Sequence, residues 1–407
     1  MIVRFHGFLI RIDVIEKIDQ RYAHSFQIDV RIGMTRFLLL MIVLIMFPQV
    51  VETAYSPALP LIAYTYAVSA SEAGQTLSVY FIAFALGVLF WGWLCDRAGR
   101  RPAVLAGLTV YGLGCLLALF SPNFIVLLLA RMMSAFGAAV GSIGVQTMLR
   151  DRYQAEELAK IFGTIGAALA LSPLLGLAMG VALSSGAQVM PVFIGLLVLA
   201  LLLLAACLLY LPETRPVQNP HSSLLQVLIR LLKDPAIWQS ALLVALFNTT
   251  IFAFYQWAPF LLQGLGSDKQ LMMIAGVLLA GGTFMGAFLN RRWLAAGQSS
   301  RRLIWRGIAL LAVSATGLEF AGKHLIFLLP AMLLALAYAV AIPNLLSGAL
   351  QHYRSVAGMA GAVFGLMYSL LLGLGLALSA WWGDLADVTL ICAVLAAICL
   401  ALPLNRT

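Results

Sequence analysis

The chain reads as an all-α polytopic membrane protein, with twelve spanning helices in two pseudo-symmetric six-helix bundles. Three observations lead there. Hydrophobic residues make up 62% of the 407 residues and charged residues only 10%, against about 25% charged in ordinary soluble domains. Apolar runs long enough to cross a bilayer recur along the whole sequence, and basic residues collect on alternate connections between them. A mean hydropathy of +0.99 rules out a disordered chain as firmly as a soluble one.

A run of about 20 apolar residues crosses the hydrocarbon as a helix, because lipid offers the backbone no other hydrogen-bonding partner. Six such runs lie at 37–57, 75–94, 103–120, 124–147, 159–183 and 189–211. Six more lie at 237–260, 271–289, 303–320, 325–348, 357–380 and 387–404. Between the sets runs the longest polar connection, 212–235, which carries Pro212, Pro216, Pro220 and Pro235. It divides the chain into a first bundle over 34–211 and a second over 236–407.

Charge sets the orientation. With the N-terminus in the cytoplasm, the inner ends and connections hold Arg36, Arg97, Arg100, Arg101, Arg150, Arg152, Lys160, Arg215, Arg230 and Lys233 in the first part of the chain. Arg291, Arg292, Arg301, Arg302, Arg306, Arg354 and Arg406 follow, making seventeen, and the outer connections hold only Lys269 and Lys323. This excess places both termini on the cytoplasmic side. The outer connections Ser121-Pro122-Asn123 and Ser184-Ser185-Gly186-Ala187-Gln188 are too short for an external domain.

Residues 1–33 stand apart, with five basic and four acidic side chains and no spanning run. They lack the basic start, apolar centre and small-residue cleavage site of a signal peptide. Two readings stand: Phe5, Phe8, Leu9, Ile12 and Ile15 line one face of an interfacial helix, or translation starts at Met34.

The halves carry a faint repeat. Gly92-Trp-Leu-Cys-Asp96-Arg97 ends the second run and Gly286-Ala-Phe-Leu-Asn290-Arg291 ends the eighth, each followed by more Arg. Matching patterns at matching places indicate two six-helix units related by an axis along the membrane normal.

Other classes fall away. Cys95, Cys115, Cys207, Cys392 and Cys399 are scattered singly, without the spacing of a zinc site or a disulfide framework. The net charge of +9 lies in short topogenic clusters and forms no stripe for nucleic acid. Five dispersed histidines give no catalytic cluster for a membrane enzyme, and His324 and His352 at helix ends read as solvated or interfacial. No GxxxxGK[ST] loop for ATP occurs.

Two ionisable residues sit well inside apolar runs, Glu52 in the first and Arg131 in the fourth. A charge at the bilayer centre costs about 2.5–3.5 kcal/mol on insertion scales. Counted at about 1.5 Å per residue from opposite faces, the two reach a similar depth, which invites a pair in which Glu52 binds and releases a proton and Arg131 tunes it. The bland reading is a buried ion pair that only fixes packing, and such pairs often stabilise little. One charge crossing 100 mV supplies about 2.3 kcal/mol, enough for a roughly forty-fold substrate gradient.

The most specific string is Gly92-Trp-Leu-Cys-Asp96-Arg97-Ala-Gly99-Arg100-Arg101-Pro102. Gly92 suits close helix contact, Gly99 a tight turn, and Pro102 the first position of the next helix. Asp96 among three Arg suits charge-assisted hydrogen bonds to neighbouring helix ends.

This string resembles the GxxxDRxGRRP loop signature, motif A, of the major facilitator superfamily. Glu52-Thr-Ala-Tyr55-Ser-Pro57-Ala-Leu-Pro60 resembles the acidic end of helix 1 in twelve-helix drug:proton antiporters. Arg131-Met-Met-Ser134 is similar to their RxxQG motif, Ser172-Pro173-Leu-Leu-Gly176 to their antiporter signature, and Pro212-Glu-Thr-Arg-Pro216 to the end of their helix 6. The combination most resembles the Bcr/CflA and EmrD-type transporters. Three of these motifs depart from the pattern. The acid sits one residue before Thr53, where relatives carry it, Ser134 and Ala135 replace Gln-Gly, and Ala168, Ser172 and Leu177 replace glycines of helix 5.

The resemblance implies a cavity lined by helices 1, 4, 7 and 10, with Tyr55, Asn248, Thr249, Tyr338 and Asn344 offered toward substrate. Aromatic and uncharged polar groups around one carboxylate suit lipophilic drugs, cations included. Tyr255 and Trp257 read instead as a membrane-belt pair. Gly163, Gly166, Gly176 and Gly180 read as close-packing positions and Pro173 as a kink.

The expected protein is a proton-coupled antiporter that exports lipophilic drugs or toxic compounds across the bacterial inner membrane by alternating access. Its partners are small lipophilic substrates, protons and the bilayer, with no nucleic acid, no cofactor and no metal, and it works as a monomer. The alternative is a carrier exporting a metabolite such as a nucleoside, sugar or amino-acid derivative. A membrane scaffold leaves Glu52 and Arg131 unexplained.

Overall fold

Each apolar run folds into a helix. The computed structural model describes residues 36–153, 155–184, 186, 188–215, 224–265, 269–322 and 324–402. The segment 1–33, Met34, Pro216, Pro220, Lys323, Arg406 and the end of the last run lie outside the described residues. The helices of the first half are α1 (Arg36–Thr65), α2 (Ala70–Ala98), α3 (Arg100–Leu119), α4 (Phe124–Arg152), α5 (Ala155–Leu183) and α6 (Met190–Tyr210). A short α7 (Leu224–Leu232) follows, then α8 (Pro235–Gly264), α9 (Lys269–Ala295), α10 (Ser300–Ala321), α11 (Leu328–Ala349), α12 (Ala357–Trp382) and α13 (Leu385–Ala401). No strand occurs among the described residues.

Eleven of these helices are long and apolar enough to cross a membrane. The last, α13, is equally apolar but only 17 residues long, at the lower limit of about 17–25 for a span. Start signals are local: Ser69 and Glu72 form a reciprocal capping box on α2, and Asn123, Asp234 and Asp384 cap α4, α8 and α13. Large apolar side chains such as Leu86, Leu113, Leu202, Phe288 and Leu378 face outward, as a lipid-facing surface requires.

The central connection is more than the polar loop its prolines imply. It carries α7, which buries Val227 and Leu231, leaves Ile229 and Leu232 exposed, and packs on α12 and α8. Arg230 lies over the ring of Tyr353, 5.1 Å from its centroid.

Internal symmetry is written in backbone contacts. A Cβ placed on Gly87 of α2 would lie 2.6 Å from the Phe136 carbonyl oxygen and 2.8 Å from Ala139 Cβ. On Gly286 of α9 it would lie 2.6 Å from the Leu336 carbonyl oxygen and 2.8 Å from Ala339 Cβ. Gly107 against Gly137, and Gly307 against Ala337, repeat the relation between α3–α4 and α10–α11. The structural partner of Gly286 is therefore Gly87, five residues before the Gly92 that the sequence pattern aligns with it. A Cβ on Gly92 would meet only Ile143, at an ordinary 3.5 Å, so Gly92 is not a close-contact position.

The two halves meet through α2 with α12, α5 with α9, and the far end of α1 with α8. These contacts gather toward the end away from the arginine-rich connections. There the Ser56 hydroxyl donates to the Tyr255 carbonyl, and the Ser71 hydroxyl donates to the Ala380 carbonyl at 2.6 Å. Deeper in, the rings of Phe81 and Phe252 meet across the same seam, tilted 56° to each other with centroids 4.5 Å apart. The α5–α9 contact is made by Leu174 and Leu177 on Gly276, while Gly163 and Gly166, nearer the basic end, face open space. Gly176 and Gly180 do pack closely, against the backbone of α1 at Val50 and Ala54.

Candidate functional site

Helix α1 brings an acid into the middle of the protein. Pro48 has no N–H to give the Leu44 carbonyl, and Gly141 of α4 packs directly on that carbonyl oxygen. One turn on, Glu52 is 1% exposed, and neither carboxylate oxygen has a hydrogen-bond partner. Thr53, where the family resemblance places the acid, turns to α5 and bonds its hydroxyl back to the Gln49 carbonyl at 2.8 Å.

Arg131 of α4 is 2% exposed and forms no ion pair with Glu52. The ion pairs among the described residues both belong to Arg100. The Arg131 guanidinium sits between two rings instead, 3.8 Å from the centroid of Tyr55 and 4.7 Å from that of Tyr80. A desolvated cation–π contact is worth about 2 kcal/mol. Tyr80 is held in turn by donating to the Pro48 carbonyl at 3.2 Å, so α1, α2 and α4 are tied at one level. Arg131, Tyr80 and Tyr255 are the titratable side chains whose fields Glu52 shares, and Tyr255 belongs to the other half.

A cavity of about 350 Å³ lies between the halves, on the basic-end side of their contacts. Gln49, Pro173, Tyr255, Thr283, Tyr338 and Ile342 represent the helices α1, α5, α8, α9 and α11 that wall it. Tyr338 lies on this wall. Asn248 stands behind it, accepting from the Tyr338 hydroxyl at 3.3 Å and donating to the Val244 carbonyl. The other three residues offered toward substrate are held elsewhere: Tyr55 under Arg131, Thr249 against Gly375 of α12, and Asn344 in a 2.7 Å hydrogen bond to Asn290. Tyr255 is buried on the cavity wall and is no membrane-belt residue, whereas Trp257 bonds to Ser379 of α12.

At the basic end the α2–α3 turn is built around Gly99, whose φ of 109° suits glycine alone. A Cβ there would also lie 2.5 Å from a Glu213 carboxylate oxygen. Glu213, just past α6, accepts from the backbone N–H groups of Arg100 and Arg101 at 2.9 and 3.1 Å. A carboxylate from a distant helix end thus caps α3 at its positive dipole end. Partial burial pushes the Glu213 carboxyl up, but the N–H bonds from Arg100, Arg215, Arg101 and Thr214 outweigh it and hold it below the ordinary glutamate range.

Arg100, 3% exposed, is the hub. Its Nε donates to Asp151 of α4 at 2.8 Å, its Nη1 to the Cys95 carbonyl at 2.9 Å, and it pairs with Asp96 at 3.3 Å. Asp96 itself is half exposed and bonds to no neighbouring helix end; Asp151 and Glu213 do that work. Arg101 donates to the Leu208 carbonyl, and the Arg97 carbonyl accepts from Arg215. Pro102 stands third in α3, where its missing N–H costs nothing.

The model of the Major Facilitator Superfamily matches residues 38–376. An uncharacterized transporter of Rickettsia bellii (strain RML369-C) is 32% identical, over 79% of this chain and 84% of its own. Multidrug resistance protein D of Escherichia coli (strain K12) is 26% identical, over 81% and 84%. Among solved structures, the D-xylose-proton symporter superposes with a TM-score of 0.72 at 14% identity, covering 92% of this chain and 98% of that one.

Proposed function

The chain belongs to the major facilitator superfamily, and on that premise we propose that it is a proton-coupled antiporter exporting lipophilic compounds across a bacterial inner membrane. The observation that carries this reading is Glu52, a buried carboxyl on α1 with no ion pair and no hydrogen bond, set where α1 meets the other half. An unpaired charge is costly to hold in such a place. Protonation of Glu52 and passage of the loaded carrier between its two openings therefore go together. Arg131, fixed between Tyr55 and Tyr80, supplies a positive field that favours release when water reaches the carboxyl.

In this proposal the contacts of Ser56 with Tyr255 and Ser71 with Ala380 are the closed gate, and the cavity on their basic-end side is loaded from the cytoplasm. Rocking of one half on the other exposes the cavity alternately. Multidrug resistance protein D is a relative of matching length, which supports a drug-like substrate. The metabolite alternative is weaker, because the wall holds few hydrogen-bonding groups for a hydroxyl-rich molecule.

The test is ethidium uptake into respiring inside-out vesicles, with wild type beside Glu52→Gln. Uptake that collapses on uncoupling and is absent from a normally expressed variant is the expected result. Wild-type rates in Glu52→Gln would sink the role of this carboxyl.

A further inference from the structure

We propose that the arginine-rich end of the second half binds the phosphate of an anionic phospholipid, at a site on α9 and α10 built around Arg302 and Arg306. Internal symmetry points to it. Arg101 donates to the Leu208 carbonyl of α6, and its counterpart Arg301 donates to the Leu400 carbonyl of α13 at 3.2 Å. The two halves are thus built alike at this end, but their charges differ. In the first half Asp96 and Asp151 pair with Arg100, and Glu213 accepts from the N–H groups of Arg100 and Arg101. In the second half Gln351 stands in step with Asp151.

From residue 236 on, the acids are Asp268, Glu319, Asp384 and Asp387, which by chain order belong to the opposite end. Asp234, at the start of α8, is engaged by the Ala236 N–H and the Tyr353 hydroxyl. Arg291, Arg292, Arg301, Arg302 and Arg306 are therefore left without a carboxylate of their own. Topology does not require this, because the positive-inside bias counts Lys and Arg and is nearly indifferent to acids.

Arg306 lies one turn deeper than Arg302 on the same face of α10. Its guanidinium rests on the Trp293 ring, 4.5 Å from the centroid, and its Nη1 is buried without a protein acceptor. Arg302 beside it is exposed. Leu294 and Trp305, also exposed, supply apolar surface for an acyl chain. Tryptophan favours the headgroup level of a bilayer, which puts a lipid phosphate at the depth of these guanidinium groups. Arginine grips phosphate through paired N–H bonds, and basic clefts between helix ends at the inner face take anionic headgroups.

The experiment follows the melting temperature of the purified full-length chain in an uncharged detergent. The probes are dioctanoyl phosphatidylglycerol, dioctanoyl phosphatidylcholine and inorganic phosphate. Phosphatidylglycerol is expected to raise the melting temperature saturably and phosphatidylcholine to leave it unmoved. Removing two guanidinium groups in Arg302→Gln/Arg306→Gln should weaken phosphatidylglycerol binding about thirty-fold, and Arg302→Gln alone, on an exposed side chain that folding does not need, about fivefold. Lys160→Gln, which removes an exposed cation of α5, should change nothing. An equal response to the two lipids, or undiminished phosphatidylglycerol binding in Arg302→Gln, would overturn the site. The same stabilisation by inorganic phosphate alone would overturn the lipid and assign the arginines to a free anion.

Discussion

Arg131 rests on the face of Tyr55, its guanidinium carbon 3.8 Å from the ring centroid, and Tyr55 is only three residues beyond Glu52 on the same helix. The acid and the base are thus coupled through an aromatic ring and a shared turn of α1, without touching. The geometry calls for a flat, delocalised cation, which lysine does not provide.

Arg131→Lys is accordingly expected to cut proton-driven efflux about tenfold or more, since losing 1.4 kcal/mol of placement is a factor of ten. Tyr80→Phe keeps the ring and loses only the bond to Pro48, at a cost in stability of about 1 kcal/mol. Initial rates of dye uptake in vesicles separate the two. Full activity in Arg131→Lys would mean that a point charge suffices.

Alanine at Gly87 or at Gly286 is expected to destabilise the protein by similar amounts, about 1–3 kcal/mol for an overpacked helix contact. Gly92→Ala is expected to be near neutral, since its Cβ would meet Ile143 at 3.5 Å. Thermal unfolding in detergent reads all three. Equal damage at Gly92 and Gly87 would refute the register of the internal repeat.

Asp151 is the closer and better buried of the two acids on Arg100, and without it that buried cation keeps only the longer pair with Asp96, so Asp151→Asn should cost about 2 kcal/mol or more. Asp96 is half exposed and pairs at a longer 3.3 Å. Asp96→Asn is therefore expected to slow turnover while sparing stability and substrate binding. Melting temperatures alongside efflux rates decide the division of labour. An equally unstable Asp96→Asn would reverse it.

The Glu213 cap predicts a pH dependence. Its native carboxyl titrates below the unfolded value of 4.5, so the stabilisation is present above that value and is lost as pH falls through the lower, native one. Wild type should melt above Glu213→Ala at neutral pH, and the gap should close only on acidification below about pH 4.5. A gap that closes near pH 6 would point to another group.

How much of this was legible in the sequence depends on what each residue costs. Glu52 and Arg131 stand out because charge in an apolar run is expensive, and Gly99 because its loop needs a positive φ. The depth estimate brought the two charged residues to one level, but not their orientation, and Tyr80 as the second ring under Arg131 gave no signal. Glu213 is visible only as part of a string, since the α3 N–H groups it caps, those of Arg100 and Arg101, lie more than a hundred residues away. The sequence pattern places the repeat five residues out of step, because a glycine followed by a polar residue and arginine is a common way to end a helix. The wall of alanine, glycine and aliphatic side chains was not legible at all: those residues look the same facing lipid, a neighbour or a substrate.

That wall has a consequence for how such a carrier changes over generations. Its positions hold few hydrogen bonds that the rest of the protein depends on, whereas Arg131 and the Arg100 hub are each held by partners on other helices. Selection can therefore resculpt the chamber one methyl group at a time and leave the engine alone. The range of molecules recognised drifts freely, and the machinery that powers the cycle does not.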